Sequence, residues 1–457
     1  MIFYSVSFLV FFLTMSVLFQ FSKTVCQQKW VILLANILFY GYWDARLLGL
    51  LFGVIGACYI SAIAYNKKQR QTPIAVCVVF CLAMLAVCKY YNFFVEAFCR
   101  SFGISNRFSL QIILPLGISF YIFQALSYLF DVRKAAIPAQ MDFVKLAAYI
   151  SFFPWITSGP IVKARDFLPQ LDRLHRIKKE NVYRGIQLFL MGLTKKVVLA
   201  DRIAVAVNAV YQAPGAYDGI SILFAMIGYA MQLYCDFSGY SDMAIGIAAI
   251  WDFDLGRNFN MPYLARNPSD FWKRWHISLS SWFREYVYFP LGGSRCARWK
   301  TYRNLLITML LSGLWHGANW TFLVWGGLHG VAAVVSKVWT DSGKTQTRRD
   351  WVYILLNNAV VVLLWGVFRA GSLQEALQIY TGLFRLDGIR YINVFVVVYL
   401  ILMVLGNLTA YYRNESNAVE INLNLDLFRN KLLVSIWICL IVMFAYVGDS
   451  AFIYAQF

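Results

Sequence analysis

Apolar residues are gathered along this chain into long blocks, separated by short polar and basic stretches. A bilayer core of ~30 Å needs ~20 helical residues. By that rule the blocks predict spans at Ile2–Phe21, Val31–Tyr42, Leu47–Tyr65, Ile74–Phe94 and Leu110–Phe130. A short block at Phe143–Ile156 and a charge-bearing one at Ile186–Val210 follow. After them come Ile220–Ile250, Leu305–Leu314, Trp320–Val338, Trp351–Phe368, Ile392–Tyr411 and Leu432–Val447. The expected fold is all-α and integral to a membrane, with roughly eleven to thirteen transmembrane or re-entrant helices. No polar stretch is long enough for a separate soluble domain, so residues 1–457 are read as one polytopic domain. The first block lacks a basic leader and a small-residue cleavage site, and reads as a retained span.

Composition sharpens this picture. Charged residues make up only 14% of the chain, against ~25% in soluble domains, so water is not its main solvent. The 41 Lys+Arg against 23 Asp+Glu give a formal charge of +18, which in a soluble protein would point to nucleic acid. Here the basic residues concentrate in loops at Lys67–Arg70, Lys163–Arg184, Arg257–Arg303 and Lys337–Arg349, and the positive-inside rule assigns all four to the cytoplasm. The expected environment is lipid, with no nucleic-acid partner. Nine cysteines, among them Cys77, Cys81 and Cys88, fall mostly inside apolar runs without paired CxxC spacing. Buried, reduced thiols are expected, with no metal site.

The loop assignment constrains what lies between Arg303 and Lys337. Two apolar stretches are separated there by Trp315-His316-Gly317-Ala318-Asn319-Trp320, so the chain leaves the cytoplasmic face and returns to it. From Asn304 to Leu314 a helix rises ~16 Å, about half the hydrocarbon thickness. His316 is therefore expected near mid-membrane depth, inside protein, because only a cavity or packed interior tolerates a backbone break there.

Of the four histidines, His175 lies in the basic run Arg173-Leu174-His175-Arg176 and is expected to be solvated. His316 is either a general base, for which an imidazole suits neutral pH, or a satisfied interior side chain. His276 sits in PSDFWKRWHISLSSWFREYVYFPLGG, where aromatic rings mix with Lys273, Arg274, Arg284 and Glu285. That mixture reads either as an interfacial anchor or as a cytoplasmic entrance for an anionic, phosphate-bearing acyl donor. His329, in Trp325-Gly326-Gly327-Leu328-His329-Gly330, is expected to pack between close helices. Asp236 and Asp242 are acidic groups in an apolar span; they line a substrate path or pair with Lys195, Lys196 or Arg202. The histidines lack the i, i+4 spacing of a zinc protease, and no G-x-S-x-G elbow is present.

At these residues the sequence resembles the membrane-bound O-acyltransferase family, in particular its bacterial branch of alginate and peptidoglycan O-acetyltransferases and teichoic-acid D-alanyl transferases. The resemblance runs through PLGISFYIFQALSYLFDV, FFPWITSGPIVKARDFLPQL, YCDFSGYSDMAIGIA, the His276 segment and LSGLWHGANWTFLVWGGLHG, covering most of residues 110–330. It implies a ring of tilted helices around a central funnel, with His316 as the catalytic histidine and His276 as the second tunnel histidine. Lys273, Arg274, Arg284, Trp315, Asn319 and Asp236 become candidates for donor binding or for lining the tunnel. The C-terminal Phe452-Ile453-Tyr454-Ala455-Gln456-Phe457 is similar to an FxYxxF tail of this branch, which makes Tyr454 a candidate acyl relay or, alternatively, an aromatic anchor.

The implied activity is passage of acetyl from cytoplasmic acetyl-CoA, a donor substrate with no bound cofactor, across the bacterial inner membrane. A periplasmic partner transferase of the SGNH type would then place it on a polysaccharide. Peptidoglycan is the preferred acceptor, with alginate and cellulose open. A D-alanyl transferase of teichoic acid and a transporter or flippase are the alternatives.

Overall fold

The computed structural model describes residues 1–104, 109–110, 112–342, 350–412, 427–446 and 448. Among these the ordered elements are helical, with one isolated bridge between Tyr217 and Ile389. Five helices are long and apolar enough to cross a bilayer: Leu47–Lys67, Thr72–Phe102, Gly219–Ile250, Trp320–Asp341 and Asp350–Arg369. Shorter apolar helices at Val6–Phe21 and Val394–Gly406 accompany them. The protein is a multi-pass membrane protein. The described residues form two compact units, Met1–Leu190 with Ser241–Gly256, and Met191–Tyr240 with Arg257–Phe457.

In the first unit, capping chemistry decides where helices begin. The Ser5 hydroxyl accepts from the Phe8 amide, so the first helix opens at Val6. Thr24 and Gln27 close a capping box that starts the second helix at Val25, earlier than the apolar block alone indicates. The block beginning at Leu110 turns helical only at Ile118. Pro115 and Gly117 precede it, and Gly117 takes φ +69°, with a Cβ there falling on the carbonyl of Ile156.

The block at Phe143–Ile156 divides into two short helices, Phe143–Ile150 and Phe153–Ile156. Buried Asn36 supplies the polar partners that the break needs: its amide nitrogen donates to Ser151 Oγ (3.0 Å) and its oxygen accepts from the Phe153 N–H (2.9 Å). Nearly every position of helix Ile118–Arg133 is buried, as expected of an inner helix covered on all faces.

Two further findings in this unit depart from the sequence reading. His175 is 1% exposed, not solvated. Its Nδ1 lies 3.2 Å from an Asp252 carboxylate oxygen and its Nε2 2.6 Å from the Gln170 carbonyl, while Gln28 bonds both the His175 amide and its carbonyl. The cysteines are free, as expected, yet Cys58, Cys77 and Cys81 gather their Sγ atoms within 4.8 Å of one another. Spacing along one segment could not announce that cluster, because Cys58 comes from the neighbouring helix.

Candidate active site

The second unit contains a tight hairpin of helices Arg298–His316 and Trp320–Asp341. Glycines set its closeness. A Cβ on Gly326 would lie 2.5 Å from the Met309 carbonyl, and one on Gly313 would lie 2.3 Å from the Phe322 carbonyl. Two backbones can pack this closely only where side chains are missing. Gly326→Leu is expected to force the pair apart at a cost of at least ~1–3 kcal/mol. A thermal melt in detergent followed by tryptophan fluorescence checks this, and an unchanged midpoint would refute it.

The hairpin turn places His316 as the last residue of its helix, 3% exposed. The ring meets Trp325 edge-on at 5.1 Å and Phe368 at 5.2 Å between centroids, with Trp315 at 4.9 Å. Asn319 starts the return helix. Its side-chain oxygen accepts from the Thr321 amide and its nitrogen donates to the Gly371 carbonyl (2.7 Å), so its bonds are those of a cap and an anchor.

His276 precedes helix Ile277–Phe283 with φ +43° and is fully buried. Its Nδ1 lies 3.1 Å from Asn258 Oδ1. Burial holds its imidazole well below the ordinary value, so at neutral pH the ring is uncharged. Trp315 joins the two histidines: its ring lies 6.1 Å from that of His276 and 4.9 Å from that of His316. His329 is buried and packs among Trp325 (4.8 Å), Trp272 (5.1 Å) and Trp365 (6.2 Å).

The segment around His276 opens on a cavity of about 840 Å³, within the usual size range of small-molecule sites. Lys273, Arg274 and Arg284 line it, joined by Arg266 and Lys337, which sequence reasoning had not singled out. Asp270 engages Arg274 at 3.0 Å, while Lys273 and Arg284 are exposed. Thr308 and Ser312 also line the cavity. Ser312 stands four residues before His316, one turn along the same helix face.

Asp236 takes the structural option: Lys196 reaches it at 2.7 Å and Asp201 at 2.9 Å, with all three side chains buried. Lys196 had been a named partner; Asp201 had not, since nothing in its local sequence distinguishes it from a helix-start acid. Tyr454 lies outside the described residues.

A model of the membrane-bound O-acyltransferase family matches residues 102–374 of this chain. The chain belongs to that family. Among curated relatives it is similar to a probable alginate O-acetylase of Azotobacter vinelandii, 38% identical over 84% of this chain and 78% of the relative. The corresponding protein of Pseudomonas putida is 34% identical, and the match covers the whole of both chains. A peptidoglycan O-acetyltransferase of Helicobacter pylori is 33% identical over 83% of this chain and 78% of its own length. The protein is thus a membrane O-acyltransferase, and the aromatic and histidine-bearing hairpin falls inside the matched family region.

Proposed function

We propose that this membrane O-acyltransferase takes acetyl from acetyl-CoA at the cytoplasmic face of the bacterial inner membrane and passes it outward for O-acetylation of a polysaccharide. The observation that carries the reading is the cavity itself. Its lining includes Lys273, Arg274 and Arg284, suited to the phosphates of a nucleotide thioester, and Ser312, one helical turn from His316. In this reading His316 takes the proton of the attacking hydroxyl as the oxygen adds to the thioester carbonyl. The C–S bond then breaks and the departing CoA thiolate takes that proton from His316 and leaves as the thiol, while His276 supplies a second imidazole to the site.

Relatives named for alginate and for peptidoglycan both support a polysaccharide hydroxyl as the final acceptor. The relatives do not favour peptidoglycan over alginate, because an alginate relative aligns over its entire length. A periplasmic partner of the SGNH type would complete the transfer, and Tyr454 is the residue we would test as a relay.

The deciding experiment supplies purified protein in nanodiscs with acetyl-CoA or with a D-alanyl carrier-protein thioester and measures thiol release. Turnover with acetyl-CoA is expected; turnover with the carrier protein alone would replace this reading by D-alanyl transfer. The double variant Lys273→Glu/Arg284→Glu is expected to raise KM for acetyl-CoA by ~10–100-fold, the equivalent of one or two charge-assisted hydrogen bonds. Its kcat should stay within about threefold, and an unchanged KM would remove these residues from donor binding.

A further inference from the structure

The bond from His276 to Asn258 fixes more than the ring's position. Asn258 Oδ1 also accepts from the Ser278 backbone N–H (3.3 Å) and from the Ser278 hydroxyl (2.8 Å). A backbone N–H can only donate, so the oxygen of the amide must be the atom on that side. The partner facing His276 Nδ1 is then an acceptor, and Nδ1 carries the hydrogen. The neutral imidazole has one N–H, which leaves the lone pair on Nε2.

Around this contact the backbone is arranged to hold it. The Asn258 carbonyl accepts from the Ile277 N–H at 2.8 Å, directly after His276. His276 adopts a left-handed backbone, φ +43°, that only a surrounding framework sustains in a residue with a Cβ. Asn258 is itself 1% exposed. Phe237 stands edge-on to the imidazole at 4.6 Å, and the Trp315 ring lies 6.1 Å from it and 4.9 Å from that of His316.

We infer that Asn258 is a positioning residue of the acyl-transfer site: it locks His276 into the Nδ1–H tautomer, so that the ring meets its reacting partner through Nε2 as an acceptor. This inference rests on the proposed function, in which His276 belongs to the acyl-transfer site. It carries a chemical consequence. An acceptor nitrogen cannot polarise a thioester carbonyl by donating to it; it takes a hydrogen bond from a hydroxyl or a thiol. His276 therefore engages an O–H or S–H group of the substrates, and the carbonyl oxygen is stabilised by other groups.

The test compares two variants by acetyl-CoA thiol release in nanodiscs. Asn258→Leu keeps the bulk and the backbone bond but has no acceptor. It is expected to lower kcat by about 100-fold while the KM for acetyl-CoA changes by less than about threefold. Asn258→Asp restores the acceptor and is expected to stay within about tenfold of the wild-type kcat. A purely structural asparagine would show no such rescue and would lower kcat and raise KM together. If Asn258→Leu does not fold, the Asp variant decides alone, since a folded Asn258→Asp protein with more than a 100-fold loss overturns the inference. Wild-type kcat in Asn258→Leu would overturn it as well. Neither outcome touches the assignment of His316, whose own variant is read separately.

Discussion

Replacing His316 by alanine is expected to cut acetyl transfer from acetyl-CoA by about 10²–10⁴-fold, the contribution typical of a positioned general base. The loss should fall on kcat, with the KM for acetyl-CoA nearly unchanged, because the basic residues lining the cavity are untouched by the substitution. Folding should survive. The imidazole's ring neighbours Trp325, Phe368 and Trp315 are all large, Trp325 and Phe368 pack against each other at 5.1 Å, and the helix ends at this position in any case. The cavity left behind would cost no more than a few kcal/mol, on the order of other large-to-small core changes. Thiol release by protein whose melting curve is intact is the measurement. Full turnover in His316→Ala would refute the base assignment. Normal acetyl turnover combined with lost movement of a substrate across proteoliposomes would instead favour the transport alternative.

That experiment targets a residue the sequence made conspicuous. A polar Trp-His-Gly-Ala-Asn-Trp insertion between two apolar stretches is visible as a broken block, and the structure closes a hairpin at that insertion with His316 buried. The basic, aromatic segment around His276 was equally legible, and Lys273, Arg274 and Arg284 do line one cavity. Chemistry that depends on residues far apart in sequence was not. Asn258 becomes significant only when its amide meets His276, and nothing in its own surroundings marks it. His175 looked solvated because its neighbours are basic, whereas its partners Gln28 and Asp252 come from distant parts of the chain. Local rules misplaced helix starts for a related reason: a capping box at Thr24 and a left-handed glycine at 117 set boundaries that hydropathy averages over.

The second large effect is expected at Lys196. Its ammonium sits between Asp236 at 2.7 Å and Asp201 at 2.9 Å, and the three side chains are buried. Two local features create the cluster. Residues Thr194–Ala200 form a π-helical turn in which the Asp201 N–H bonds to the Lys196 carbonyl, and this brings the acid alongside the lysine. Gly239 then lets its helix approach: a Cβ there would lie 2.6 Å from the Gly192 carbonyl, so the glycine is what allows Asp236, one turn earlier, to reach Lys196. Lys196→Met removes the shared cation and strands two carboxylates in a low-dielectric interior. Breaking a buried ion pair from one side typically costs ~3–5 kcal/mol, enough to consume much of the stability of an ordinary domain. The expected result is a marked fall in melting temperature and in the yield of monodisperse protein from detergent. Converting the acids too, in Lys196→Met/Asp201→Asn/Asp236→Asn, leaves no isolated charge and should recover most of that loss. A single variant that melts like wild type would show that the cluster does not stabilise the fold. A triple variant that recovers stability but not acyl transfer would give one of Lys196, Asp201 and Asp236 a part in the chemistry beyond holding the helices together.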